Sequence, residues 1–166
     1  MNSPTVTGQF CDSITPTFTV DLSASPFQTW TSPVTDRDGY CCGATAPDLC
    51  LEFVITLHPD AAAIVFNIAS GAVPPGALFY QIDCGPPTPV GEPICLTGTG
   101  PFHLTFCKPG NNTNSFSIET IPNPTFGPNI TLSNGCEGIL FANFYDESSV
   151  TWTSVTPGTT GAYNGF

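Results

Sequence analysis

The chain has 166 residues, enough for one domain, and 40% of them are apolar with thirteen Phe spread along its length, so wholesale disorder is excluded. Thirteen acidic residues face only Arg37 and Lys108, a formal charge of -11. Nucleic-acid binding draws on Lys and Arg to displace counterions from phosphates, so that balance excludes it and disfavours anionic membrane surfaces.

No export signal is expected in the opening residues, because Met1 leads into Asn-Ser-Pro-Thr-Val without a basic start or an apolar run. Nor does any later stretch reach the roughly eighteen apolar residues that a membrane-spanning helix needs. A cysteine-rich chain of this kind reads as residues 1–166 of a larger multi-domain secreted protein, folded as a single β-sandwich domain, with Met1 an added start.

Apolar alternation at period two then recurs, the mark of half-buried strands. Strands are expected near 16–22 and 28–32, and Leu51, Phe53, Ile55 and Leu57 share one face opposite Glu52 and Thr56. Pro59 to Ala63 carries the one hint of a helical turn, too short to nucleate more. Ile64, Phe66 and Ile68 resume the alternation, followed by Leu78, Tyr80 and Ile82. Phe102, Leu104 and Phe106 alternate with His103 and Thr105, which places His103 on the solvent side. Phe116 and Ile118 come next, then 129–133, Leu140, Ala142 and Phe144, and 149–155. Pro74-Pro75-Gly76, Gly85-Pro86-Pro87, Lys108-Pro109-Gly110-Asn111-Asn112 and Asn134-Gly135 supply the turns. The pattern predicts an all-β fold, an antiparallel sandwich of Ig-like or jelly-roll kind without substantial helix. One internal echo stands out: Thr29-Trp30-Thr31-Ser32 recurs as Thr151-Trp152-Thr153-Ser154, by chance or as the mark of tandem modules.

Eight cysteines, Cys11, Cys41, Cys42, Cys50, Cys84, Cys95, Cys107 and Cys136, are even in number and lack any CxxC pair. Zinc-ribbon and thioredoxin-like readings fail on that spacing, and four disulfides formed in an oxidising compartment are expected. Their connectivity is largely open. Cys84 and Cys95 flank a Pro/Gly-rich loop and form one candidate pair. Adjacent Cys41 and Cys42 are expected to take different partners, since neighbouring side chains on an extended strand point to opposite faces.

No nucleophile motif accompanies His58 or His103, and the acids are scattered singly, so an enzyme is not expected. Asp36-Arg37-Asp38-Gly39 sets two carboxylates ahead of a glycine as calcium loops do, but Tyr40, Cys41 and Cys42 replace the later ligands. Asp36 and Asp38 are therefore weighed as a Ca2+ site against a solvated Asp-rich turn, and Asp146-Glu147 forms a second acidic pair. Trp30, Trp152, Tyr40 and Tyr163 are the aromatics that could form a carbohydrate-binding platform, although both Trp sit on strand-like segments where core packing is the commoner fate. Surface domains can carry Lys–Asn isopeptide bonds; Lys108, in a hairpin turn, is expected to be solvated, which speaks against one.

The run from Cys95 through Phe102-His103-Leu104-Thr105-Phe106-Cys107 to Asn112 is preceded by Gly71-Ala-Val-Pro-Pro-Gly-Ala-Leu-Phe-Tyr-Gln-Ile. With the closing Ser149-Val-Thr-Trp-Thr-Ser-Val-Thr-Pro-Gly-Thr-Thr-Gly-Ala-Tyr-Asn164, it resembles segments of giant SprB-type cell-surface gliding adhesins of Bacteroidetes. The resemblance spans roughly residues 36–164 and rests on turns and cysteines. It implies a non-catalytic repeat module of a surface filament exported by type IX secretion, serving cell adhesion and gliding motility. Its implied partners are a surface or polysaccharide target and neighbouring modules of the same chain, without insertion into the membrane. Asp12-Ser13-Ile14 matches the short pattern for O-glycosylation in that phylum, making Ser13 a candidate acceptor. Asn111-Asn112-Thr113 and Asn129-Ile130-Thr131 fit the N-glycosylation pattern, which carries little weight in a bacterial protein.

Overall fold

In the computed structural model the described residues are 10–73, 76–110, 113–123, 125–126 and 142–143. Their contacts divide the chain into two units, Met1–Asn123 and Pro124–Phe166. The second is described by one short antiparallel pair, β10 (Thr125–Phe126) with β11 (Ala142–Asn143). Two sheets build the first. The larger runs β1 (Thr17–Leu22), β3 (Asp48–Leu57), β8 (Phe102–Pro109), β5 (Phe79–Ile82) and β6 (Thr88–Pro89) in that spatial order. The smaller runs β2 (Thr29–Thr31), β9 (Asn114–Pro122), β4 (Ala61–Gly71) and β7 (Pro93–Cys95). The described residues are thus all-β and sandwich-like, with no helix among them.

Two details depart from expectation. Pairing is antiparallel throughout except that β1 runs parallel to β3. The helical hint at Pro59 to Ala63 is overturned: the chain reverses at Pro59-Asp60, the Ala61 amide donates to the His58 carbonyl at 3.0 Å, and β4 begins at Ala61. Three alanines offer too little intrahelical bonding to compete with the long ladder that β4 makes with β9.

The alternation read in the sequence becomes the core. Val20 and Leu22 from β1, Leu51, Phe53 and Ile55 from β3, Leu104 and Phe106 from β8 and Tyr80 from β5 face Ile64 and Phe66 from β4 and Phe116 and Ile118 from β9. Aromatic rings knit the two layers together. Phe66 lies within 5.6 Å, centroid to centroid, of Phe53, Tyr80, Phe106 and Phe116, and stacks on the last at 12°. These offset and edge-on arrangements suit the ring quadrupoles. Tyr80 satisfies its buried hydroxyl by donating to the Glu92 carbonyl at 3.0 Å, and burial, helped by the Glu92 charge, pushes its pKa up to about 12. The phenol therefore stays protonated and remains a donor.

Candidate functional site

Three disulfides define the most elaborated region. Cys11 joins Cys41, Cys42 joins Cys84, and Cys50 joins Cys107. Cys50 and Cys107 are direct cross-strand partners in the β3–β8 register, on the phase opposite the core residues Leu51 and Phe106. Cys11, Cys41 and Cys50 form a second buried cluster, flanked by Phe10, Ala44, Cys42 and Cys107. The segments around Cys11 and Cys41 therefore lie as a strap over the outer face of the five-stranded sheet. That cover explains why Thr105, on the outer phase of β8, is only 2% exposed, with its hydroxyl 3.4 Å from the Cys42 sulfur.

The strap is held by more than sulfur. Asp12 accepts from the Thr15 amide and hydroxyl with one carboxylate oxygen and from the Tyr40 amide with the other. The Thr15 hydroxyl bond, ahead of the backbone amides, holds the Asp12 pKa below the ordinary carboxylate value. Gly39 has a φ of 69°, and a side chain there would collide with the Asp12 carboxylate and Thr15. Only glycine lets the two segments approach so closely.

The proposed pairing of Cys84 with Cys95 is overturned. Cys84 follows β5 in the five-stranded sheet, whereas Cys95 ends β7 in the other layer. A φ of 54° at Cys84 belongs to the turn that presents it to Cys42. Cys41 and Cys42 do take different partners, but for another reason than strand alternation: Cys42 sits in a turn at φ 52°. Cys95 is exposed and makes no disulfide among the described residues, and Cys136 lies outside them. Three crosslinks of this kind indicate an oxidising environment beyond the reducing cytoplasm.

His103 is not simply solvated. Its Nδ1 lies 2.7 Å from Glu52 Oε1, and its ring packs on Phe10 with centroids 4.8 Å apart. Thr17 donates to the other Glu52 oxygen at 3.0 Å, which ties β1 to the same pair. Glu52 is buried under the strap and His103 is half-covered by it, and the matched acceptor and donor account for a carboxylate that is only 9% exposed.

The chain's two cations are both buried. Lys108 was expected in solvent and instead is fully enclosed, as is Arg37. Alternation along β8 explains it, since Lys108 is in phase with Leu104 and Phe106 and so points inward at the end of the sandwich. Its Nζ donates to the Ala72 carbonyl at 2.9 Å. Arg37 reaches the same end from the β2–β3 connection, where Thr35 and Asn114 exchange backbone hydrogen bonds of 2.9 and 3.1 Å. It donates from Nη1 to Asn114 Oδ1 at 2.8 Å and from Nη2 to the Gly110 carbonyl at 2.6 Å. The surface consequently carries no Lys or Arg at all. Native protein is expected to survive trypsin through an overnight digest, and denaturation with reduction should open cleavage after Arg37. Rapid nicking at Arg37 in the native state would show that the guanidinium is not enclosed.

The other candidate residues are dispersed. Asp36 and Asp38 are exposed, with Asp38 Oδ1 accepting from the Gly39 amide at 2.8 Å, and no cluster of three or more His, Cys, Asp or Glu suited to a metal occurs among the described residues. Trp30 sits on β2 with its ring against Phe18 and Phe53, at 6.1 and 5.8 Å, so it closes the open side of the core. Tyr40 is 39% exposed on the strap. Trp152, Tyr163 and the second Thr-Trp-Thr-Ser copy lie outside the described residues. Ser13 is exposed in the turn that Asp12 closes. A shallow groove of about 530 Å³ beside the Cys42 turn is lined by Asp48, Leu78, Phe79 and Gln81 among others.

No protein-family model, curated protein or solved structure matches the chain.

Proposed function

We propose that the chain is a non-catalytic structural and adhesive module of an extracellular, cell-surface filament, the role implied by its resemblance to gliding adhesins. The observation that supports it most is the use made of chemistry-bearing side chains. Six cysteines, both cations, Asp12 and the Glu52–His103 pair are all engaged in fastening strap, loops and sheets to one another. Such a body resists unfolding and proteolysis, and its acidic surface, free of Lys and Arg, opposes non-specific self-association.

The test is adhesion under flow. Microbeads coated with the protein are expected to hold on glass or on a polysaccharide gel at shear that removes albumin-coated beads. They should detach after reduction of the disulfides. Protein-coated beads that wash off with the albumin control on every surface would defeat the adhesive reading.

A further inference from the structure

Lys108 and Asn114 bring an amine and an amide together out of reach of water. Lys108 lies near the end of β8 in one sheet, and Asn114 opens β9 in the other. Both point inward, Lys108 in phase with Phe106 and Asn114 in phase with Phe116, and both are fully buried. Their side-chain nitrogens share one acceptor: Lys108 Nζ donates to the Ala72 carbonyl at 2.9 Å, and Asn114 Nδ2 donates to the same oxygen at 3.1 Å. On its other side the Asn114 amide oxygen accepts from Arg37 Nη1 at 2.8 Å. Gly71, at φ 101°, brings its backbone so close that a Cβ there would stand 2.5 Å from Asn114 Nδ2. The amide is thus gripped at oxygen and nitrogen, and the Lys108 amine is bound to the same Ala72 carbonyl as its nitrogen.

We infer that Lys108 and Asn114 are the two halves of an intramolecular isopeptide crosslink that forms in the folded protein, with Arg37 as the group that activates the amide. The attacking species is the neutral amine. Burial, and then the charge of Arg37, lower the Lys108 pKa from its ordinary value and favour that form. As Nζ adds to Cγ, negative charge gathers on Oδ1, where the guanidinium N–H already points. Collapse of the adduct breaks the Cγ–Nδ2 bond, the proton lost by Nζ passes to Nδ2, and ammonia leaves. One C–N and one N–H bond form as one of each breaks, so no oxidant, metal or cofactor is required. The water-free setting protects the new amide from hydrolysis. The product ties the β8 sheet to the β9 sheet at one end of the sandwich, a residue away from the Cys50–Cys107 bridge.

Lys108 is the single lysine of the chain, which makes the test direct. Native protein is purified, reduced, unfolded, alkylated and treated with an amine-reactive reagent before mass spectrometry. The expected molecule is lighter than its sequence by one ammonia and takes no label at Lys108. Its tandem spectra lack fragments from cleavage within 108–114, because one backbone break there releases nothing. Lys108→Met should restore the mass calculated for its own sequence, and Arg37→Met should leave much of the amine unreacted. A full-mass protein labelled at Lys108 overturns the inference. So does loss of ammonia with Lys108 still labelled, which would mark a succinimide at an asparagine instead.

Discussion

Excess reductant should lower the melting temperature of the native protein by on the order of 20 °C. The disulfides close separations of 30, 42 and 57 residues, and each restricts the unfolded chain by about 3.5–4 kcal/mol in the loop-entropy description. The loops from Cys42 to Cys84 and from Cys50 to Cys107 overlap, so the contributions do not simply add. Even half of their total is about 6 kcal/mol, comparable with the whole stability of an ordinary domain. Loss of the crosslinks also frees the strap, and with it the cover over Glu52 and Thr105. Differential scanning calorimetry with and without reductant reads the effect. A shift of only a few degrees would mean that the cystines decorate a fold already complete without them.

Phe66→Ala should destabilise the oxidised protein by about 3–5 kcal/mol, because it empties the centre of the inter-sheet core. Phe66 is fully buried and touches four aromatic rings drawn from both sheets. Its neighbours cannot close the gap, since Phe53 and Phe116 are themselves held at 5.7 Å from one another and against further partners. Phe66→Leu keeps most of the volume and should cost only about 1–2 kcal/mol. Phe27, 60% exposed, provides the contrast: Phe27→Ala should change stability by about 0.5 kcal/mol or less. Urea titrations followed by tryptophan fluorescence separate the three variants. Equal losses for Phe27→Ala and Phe66→Ala would contradict the two-layer core.

The core was legible because strands declare themselves at period two. Leu51-Phe53-Ile55, Ile64-Phe66, Phe102-Leu104-Phe106 and Phe116-Ile118 all lie on the strands that alternation assigns. The short β6 and β7 went unread because each contains a proline, Pro89 and Pro93, in a stretch that reads as loop, whereas the equally short β2 carries a Thr-Trp-Thr run. Lys108 is the instructive case. Its place before Pro109-Gly110 suggested a solvated turn, yet its phase with Leu104 and Phe106 already pointed it into the sandwich. Arg37 gave no such signal, because its burial depends on the Thr35–Asn114 bridge between distant segments. Disulfide partners were hidden for the same reason: Cys84 and Cys95 are near in sequence but belong to different layers. The His103–Glu52 pair arises from adjacent strands in a register that sequence spacing does not reveal.

The central feature of this body is a strap sewn by sulfur onto the outside of a sheet. Stepwise reduction with differential alkylation, read by tandem mass spectrometry on protein held at acid pH, identifies the partners directly. The predicted outcome is Cys11 with Cys41, Cys42 with Cys84 and Cys50 with Cys107. Free thiols at those six positions, or a bridge from Cys84 to Cys95, would contradict it.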